Sequence, residues 1–182
     1  MEKEEKYTVQ EKKELLEIAR IAIGDYLKGK VIYRPEVNNK KFFEKRGVFV
    51  TLKKDGRLRG CIGCLEPIKP LFLAVYENAI SAAFKDSRFF PLAKSEFKDI
   101  EIEISILTPP KPDALVEIIK NKKGVVLKKG NRGATYLPQV WESFSDSDQF
   151  FESLCLKAGL PADCYNSKDI EILSYQAIIF HE

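Results

Sequence analysis

Histidine is almost missing from this chain: one in 182 residues, and that one, His181, stands next to last. The scarcity excludes several chemistries. A zinc site rich in histidine cannot be assembled, and a Cys-His or Ser-His dyad would have to recruit its base from the end of the chain. Long apolar runs are missing too, since none approaches the roughly 20 residues that span a bilayer. The opening MEKEEKYTVQ is charged and lacks the apolar core of a signal peptide, which points to a cytoplasmic protein. Excess charge is small, +3 from 30 basic and 27 acidic residues. That balance is too even to argue by itself for nucleic acid or an anionic membrane as a partner. Repeats, low-complexity tracts and linkers are absent.

Cysteine is sparse: Cys61, Cys64, Cys155 and Cys164. With no secretion signal, and a length that supports a core without staples, four free thiols are expected. Cys61-Ile-Gly-Cys64 is formally a C-x-x-C pair. One such pair supplies two of the four ligands of a structural zinc, and the other two cysteines follow no matching spacing. Redox use would want the pair at a helix N-terminus after a strand, but here it ends a hairpin. No metal and no cofactor is expected.

What is present is clear periodicity. Thr8-Val9-Gln10-Glu11 fits a capping box. It opens a helix of about 20 residues whose apolar face runs from Leu15 to Leu27, with Gly29 as its stop. Residues 31–46 read as a polar connection broken at Pro35, with a turn at Asn38-Asn39. Residues 47–54 and 57–63 are two strands joined by Asp55-Gly56, the favoured pair of a type I′ turn. A helix is expected over 71–85 and a strand over 99–107, where Ile100, Ile102, Ile104 and Ile106 alternate with polar residues. Thr108-Pro109-Pro110 stops that strand. A short helix over 113–120 and a second hairpin over 124–137 follow. Residues 138–144 read as helical and carry the lone Trp141. A capped helix running to Lys157 comes next, and one final strand covers 170–180. Hairpins outnumber strand-helix-strand units, so the fold class is α+β with largely antiparallel sheets.

The chemistry concentrates in residues 54–63, KDGRLRGCIG. Strict alternation would turn Leu58, Gly60 and Ile62 to the core and Arg57, Arg59, Cys61 and Gly63 away from it. Arg59 and Cys61 would then be neighbours roughly 7 Å apart. A guanidinium beside a thiol favours the thiolate, lowering its pKa from about 8.5. Gly60 and Gly63 weaken a strand and so need a reason, either a ligand or another backbone at close approach. The candidate site therefore joins Cys61, as nucleophile or ligand, to Arg59, Gly60 and Gly63. Glu77 and Asn78, near the alanine face of the second helix, and Asp86 and Arg88, in the turn after it, are candidate pocket residues. Each has a plain structural alternative: a buried cysteine, a glycine at a tight crossing, a solvated helix edge, and an ion pair. The basic tip at 128–133 reads as a solvated turn, and Gln139 and Trp141 as cap and core.

Leu58-Arg59-Gly60-Cys61-Ile62-Gly63 resembles the LRGCIG hexapeptide of the AMMECR family. The likeness continues at Glu77-Asn78-Ala79, at 82–89 (AAFKDSRF), at 101–107 (EIEISIL) and at 137–141 (LPQVW), and covers residues 7–180. It implies an α+β protein with a larger and a smaller lobe and the hexapeptide near the cleft between them. Microbial members resemble the A component of the AmmeMemoRadiSam system, which implies Memo-like and radical-SAM protein partners in a modification pathway. Cys64 departs from the family pattern, where a small polar residue such as Thr is expected, and so falls outside the shared site. Two functional readings follow. One is a ligand-binding or catalytic cleft around the hexapeptide. The other is a non-catalytic adaptor or binding domain, with a protein or nucleic-acid partner, in which the hexapeptide is a docking or packing surface.

Overall fold

The computed structural model describes residues 7–30 and 35–182. The first part of the expected 31–46 connection, residues 31–34, lies outside them, as does most of the charged N-terminus. The described chain forms two compact units. The first runs through Leu107 and takes in Ile178–Glu182; the second is Thr108–Ala177.

The first unit is a four-stranded sheet carrying two helices. Helix α1, Val9–Leu27, starts at the expected capping box: Thr8 accepts from the Glu11 amide and the Glu11 carboxylate takes the Thr8 amide. It ends at Gly29, whose φ of +71° a side chain would strain. Strands β1, Gly47–Lys54, and β2, Arg57–Cys64, pair antiparallel. Asp55 and Gly56 both have positive φ, as the type I′ turn requires. Helix α2 is Leu71–Phe84, and β3 is Ile100–Leu107. The sheet order is β2-β1-β3-β8, with β8 formed by Ala177–His181. The core lies on one face. Val48, Val50 and Leu52 of β1 and the four isoleucines of β3 meet Leu15, Ala19 and Ile23 of α1 and Leu71, Val75 and Ala79 of α2. Apolar area removed from water drives this layer.

The second unit carries sheet order β4-β7-β5-β6. Its strands are β4 (Lys111–Pro112), β5 (Gly124–Lys129), β6 (Arg132–Tyr136) and β7 (Glu171–Tyr175). Helices α3, Leu115–Lys120, and α4, Ser147–Lys157, join them. The core stacks Trp141 on Phe150 at 3.6 Å between centroids, and the indole N–H donates to the Lys123 carbonyl at 2.7 Å. The polar tip at 130–131 is solvated as expected, and Lys129 pairs with Asp169 at 2.7 Å.

Three expectations are corrected. The final strand is two strands in two sheets, broken at Gln176. There the Gln176 amide donates to the Thr108 hydroxyl and its carbonyl accepts from the Thr108 amide, both at 2.9 Å. Apolar density continues across the break, so composition hides it. Asn39 is no simple turn: it caps a 3₁₀ turn, Lys40–Phe43, whose Phe42 is buried. Finally, Cys155 and Cys164 are not free. They are joined by a disulfide between the last turn of α4 and the 3₁₀ turn Ala162–Asn166, with Cα atoms 5.9 Å apart. Gly159, at φ +71°, lets the chain double back to bring them together.

Candidate functional site

The register of the first hairpin decides where the LRGCIG side chains go. Leu52 faces Gly60, but the next residue, Lys53, faces Leu58. Arg59 is therefore the extra residue of a β-bulge, and alternation reverses across it. Leu58, expected in the core, is 45% exposed. Gly60 and Ile62 keep the core side.

The bulge sends Arg59 toward residues the sequence does not place beside it. Its Nη2 donates to Glu96 at 2.9 Å and to the Phe90 carbonyl at 3.0 Å, and its Nε to Glu96 at 3.1 Å. Lys54 reaches the same carboxylate at 3.1 Å. The Arg59 side chain, the Ala93 amide and the Lys54 ammonium hold the Glu96 pKa down to about 2. The expected Arg59–Cys61 partnership is thus replaced by an Arg59–Glu96 pair.

Cys61 sits at the middle of β2, which is an outer strand of its sheet. Its Sγ accepts from the Thr51 hydroxyl at 3.3 Å across the hairpin. On the other side, its backbone is met by two of the expected pocket residues. The Cys61 amide donates to Asp86 Oδ2 at 2.9 Å, and its carbonyl accepts from Arg88 Nη2 at 3.4 Å. Asp86 and Arg88 also bind each other at 2.7 Å. The Arg88 guanidinium, with the Cys61 and Arg88 amides, drives the buried Asp86 carboxyl far below the usual range against the opposing pull of burial. The two side chains therefore stand in for a neighbouring strand and close the sheet edge at one residue.

The glycines are explained by protein, not by open space. A Cβ on Gly60 would lie 2.2 Å from the Ala82 carbonyl oxygen of α2. One on Gly63 would lie 2.4 Å from the Phe49 ring and from the Val48 carbonyl oxygen. Of the two reasons for glycine, close approach by the chain itself is the one observed.

Glu77 and Asn78 do not join Cys61. They lie toward the other end of β2, around a concavity of about 260 Å³. Asn78 Nδ2 donates to the Val48 carbonyl at 3.0 Å, and Glu77 pairs with Lys69. Arg46, Lys69, Ile68 and the exposed thiol of Cys64 share this lining. Sequence reasoning set Cys64 aside and passed over Arg46, Lys69, Thr51 and Glu96. Thr51 was within reach of the hairpin register, which sets it opposite Cys61; for Arg46, Lys69 and Glu96, which lie outside the strands and α-helices, periodicity carries no signal. Among the described residues no cluster of three or more His, Cys, Asp or Glu is arranged to hold a metal ion. No helix among them is long and apolar enough to cross a membrane.

The fold and the site define an α+β protein in which a bulged, glycine-bearing edge strand is clamped beneath a helix and latched by an Asp-Arg pair. The AMMECR1 family model matches residues 16–180, and the chain belongs to that family. A protein of Methanopyrus kandleri is 46% identical over 189 residues, covering 98% of this chain and 91% of its own. One from Methanothermobacter thermautotrophicus is 42% identical over 179 residues, covering 92% of each. The crystal structure of the uncharacterised protein PH0010 from Pyrococcus horikoshii superposes with a TM-score of 0.79 at 38% identity, covering 92% of this chain and 89% of that one.

Proposed function

We propose that this chain is a cytoplasmic ligand-binding component of a modification pathway, working with Memo-like and radical-SAM proteins. Its ligand sits where the end of the LRGCIG strand meets α2. The observation that supports this is the convergence of Glu77, Asn78, Arg46, Lys69 and the Cys64 thiol around one concavity of about 260 Å³. Val48, Ala74 and Ile68 give it an apolar wall. A small ligand with an apolar body and a polar head fits such a lining. The partner assignment is supported by the hexapeptide and the family it marks.

Cys61 contributes differently. Its backbone is held by the Asp86–Arg88 latch and its sulfur by Thr51, so it fixes the strand on which the concavity is built. The test uses Cys64 as a reporter. A library of small polar metabolites is screened for protection of Cys64 against maleimide, and hits are measured by calorimetry on Lys69→Ala and Ile68→Asp variants. Protection that weakens in both variants supports the site. Binding that leaves Cys64 unprotected, or that ignores both substitutions, refutes it.

A further inference from the structure

Phe90 is 91% exposed, by far the most exposed aromatic side chain among the described residues. Single exposed apolar residues are common on mobile tips. This one stands on a loop tied down on every side. Arg59 holds the Phe90 carbonyl, the Phe89 amide donates to the Asp86 carbonyl at 3.0 Å, and the Leu92 amide donates to the Ala83 carbonyl at 2.8 Å. Leu92 is buried, and the guanidinium groups of Arg59 and Arg88 lie 5.9 and 5.5 Å from the centroid of the Phe89 ring. The loop thus buries Leu92, half-buries Phe89 and holds the Phe90 ring out in water. An anchor ordered beforehand loses little entropy on binding.

The surroundings show what it would meet. Leu58, 45% exposed, precedes the arginine that grips Phe90. Beside it Lys54, Asp55, Arg57, Leu58 and Arg59 line an open concavity of about 530 Å³. The charge here is layered. The Asp86 side chain is 4% exposed while that of its partner Arg88 is 56% exposed, and Glu96 lies deeper than Lys54, at 20% against 33%. Arg57 is exposed and makes no ion pair among the described residues. The outward-facing cations are Arg57, Arg88 and Lys54, while Arg59 is itself sunk, at 14% against 20% for Glu96, and Asp55 stands at the turn.

We propose that this surface docks an acidic segment of a partner protein: Phe90 and Leu58 enter its apolar contacts, and Arg57, Arg88 and Lys54 pair with its carboxylates. The site is distinct from the ligand concavity and does not depend on it. An aliphatic anchor beside the ring favours a protein over a nucleic acid, whose bases would stack on Phe90 but gain little from Leu58.

The test is a selection of random dodecapeptides displayed on phage against the intact protein, followed by affinity measurement with synthetic peptides. The expected peptides flank Leu, Phe or Trp with Asp or Glu. Their affinity falls about tenfold or more for Phe90→Ala and for Arg57→Glu, and it weakens as salt rises. Both changes are at the surface, so melting curves match the parent and separate lost binding from lost fold. Peptides without carboxylates, an affinity unchanged by Phe90→Ala, or no enrichment at all overturns the proposal. Tighter binding of an oligo-dT strand at the same residues also overturns it, in favour of a nucleic-acid surface.

Discussion

Replacing Gly60 by alanine separates the two reasons for a glycine in the LRGCIG strand. The new Cβ would sit 2.2 Å from the Ala82 carbonyl oxygen, well inside the 3.0 Å that real Cβ contacts respect. Backbone on both sides must move, because the obstacle is a helix carbonyl and not a flexible side chain. Overpacking of this kind costs about 2–3 kcal/mol. The stiffer unfolded chain returns roughly 0.5 kcal/mol. The net loss of about 2 kcal/mol lowers the midpoint by roughly 4–8 °C for a protein of this size. Far-UV circular dichroism reports it, since α1 and α2 belong to the affected unit. Hydrogen exchange locates it, with the Cys61 amide exchanging faster as β2 leaves the Asp86 carboxylate. A melting point within about 1 °C of the parent would refute the argument, because it would mean that space above Gly60 is kept for something other than α2.

Further outcomes follow from the same contacts. Removing the Cys155–Cys164 bond with a double Cys→Ala variant frees a loop spanning a separation of nine residues and costs about 2.5–3 kcal/mol on loop-closure entropy. Fluorescence of Trp141, in the same core, should show the midpoint fall, and an unchanged midpoint would show that the bond adds nothing. Asp86 and Glu96 both have pKa values lowered by folding. Their stabilisation is fully present above the unfolded carboxylate pKa of about 4 and is lost as pH falls from there toward 2. Urea midpoints should therefore drop across that window, and Asp86→Asn should flatten the drop while costing about 1–3 kcal/mol at neutral pH. In the native protein maleimide should label the exposed Cys64 before the half-buried Cys61; mapping by mass spectrometry in the opposite order would count against the Thr51 and latch contacts.

The local elements were legible because their causes are local. The Thr8–Glu11 capping box, the Asp55-Gly56 turn and the four alternating isoleucines each fix their own few residues, and all three stand as read. So does the α+β class, which follows from hairpins outnumbering crossovers. The free-thiol reading failed at Cys155 and Cys164. It rested on a missing secretion signal and a sufficient core, neither of which says whether two thiols meet; the turn at Gly159 brings these two together. The final strand failed because an apolar run carries no mark of which sheet it serves.

For the LRGCIG strand, sequence alone determined the residue types, the hairpin and the need for glycine, since each depends on neighbours within a few positions. Tertiary structure decided everything that depends on contact at a distance. One bulged residue reverses the alternation, so Arg59 answers to Glu96, 37 residues on. The close crossing of α2 fills the space above Gly60. Asp86 and Arg88 reach the Cys61 backbone only because the turn after α2 returns to the sheet edge. Spacing names the residues that can meet; packing alone selects the ones that do.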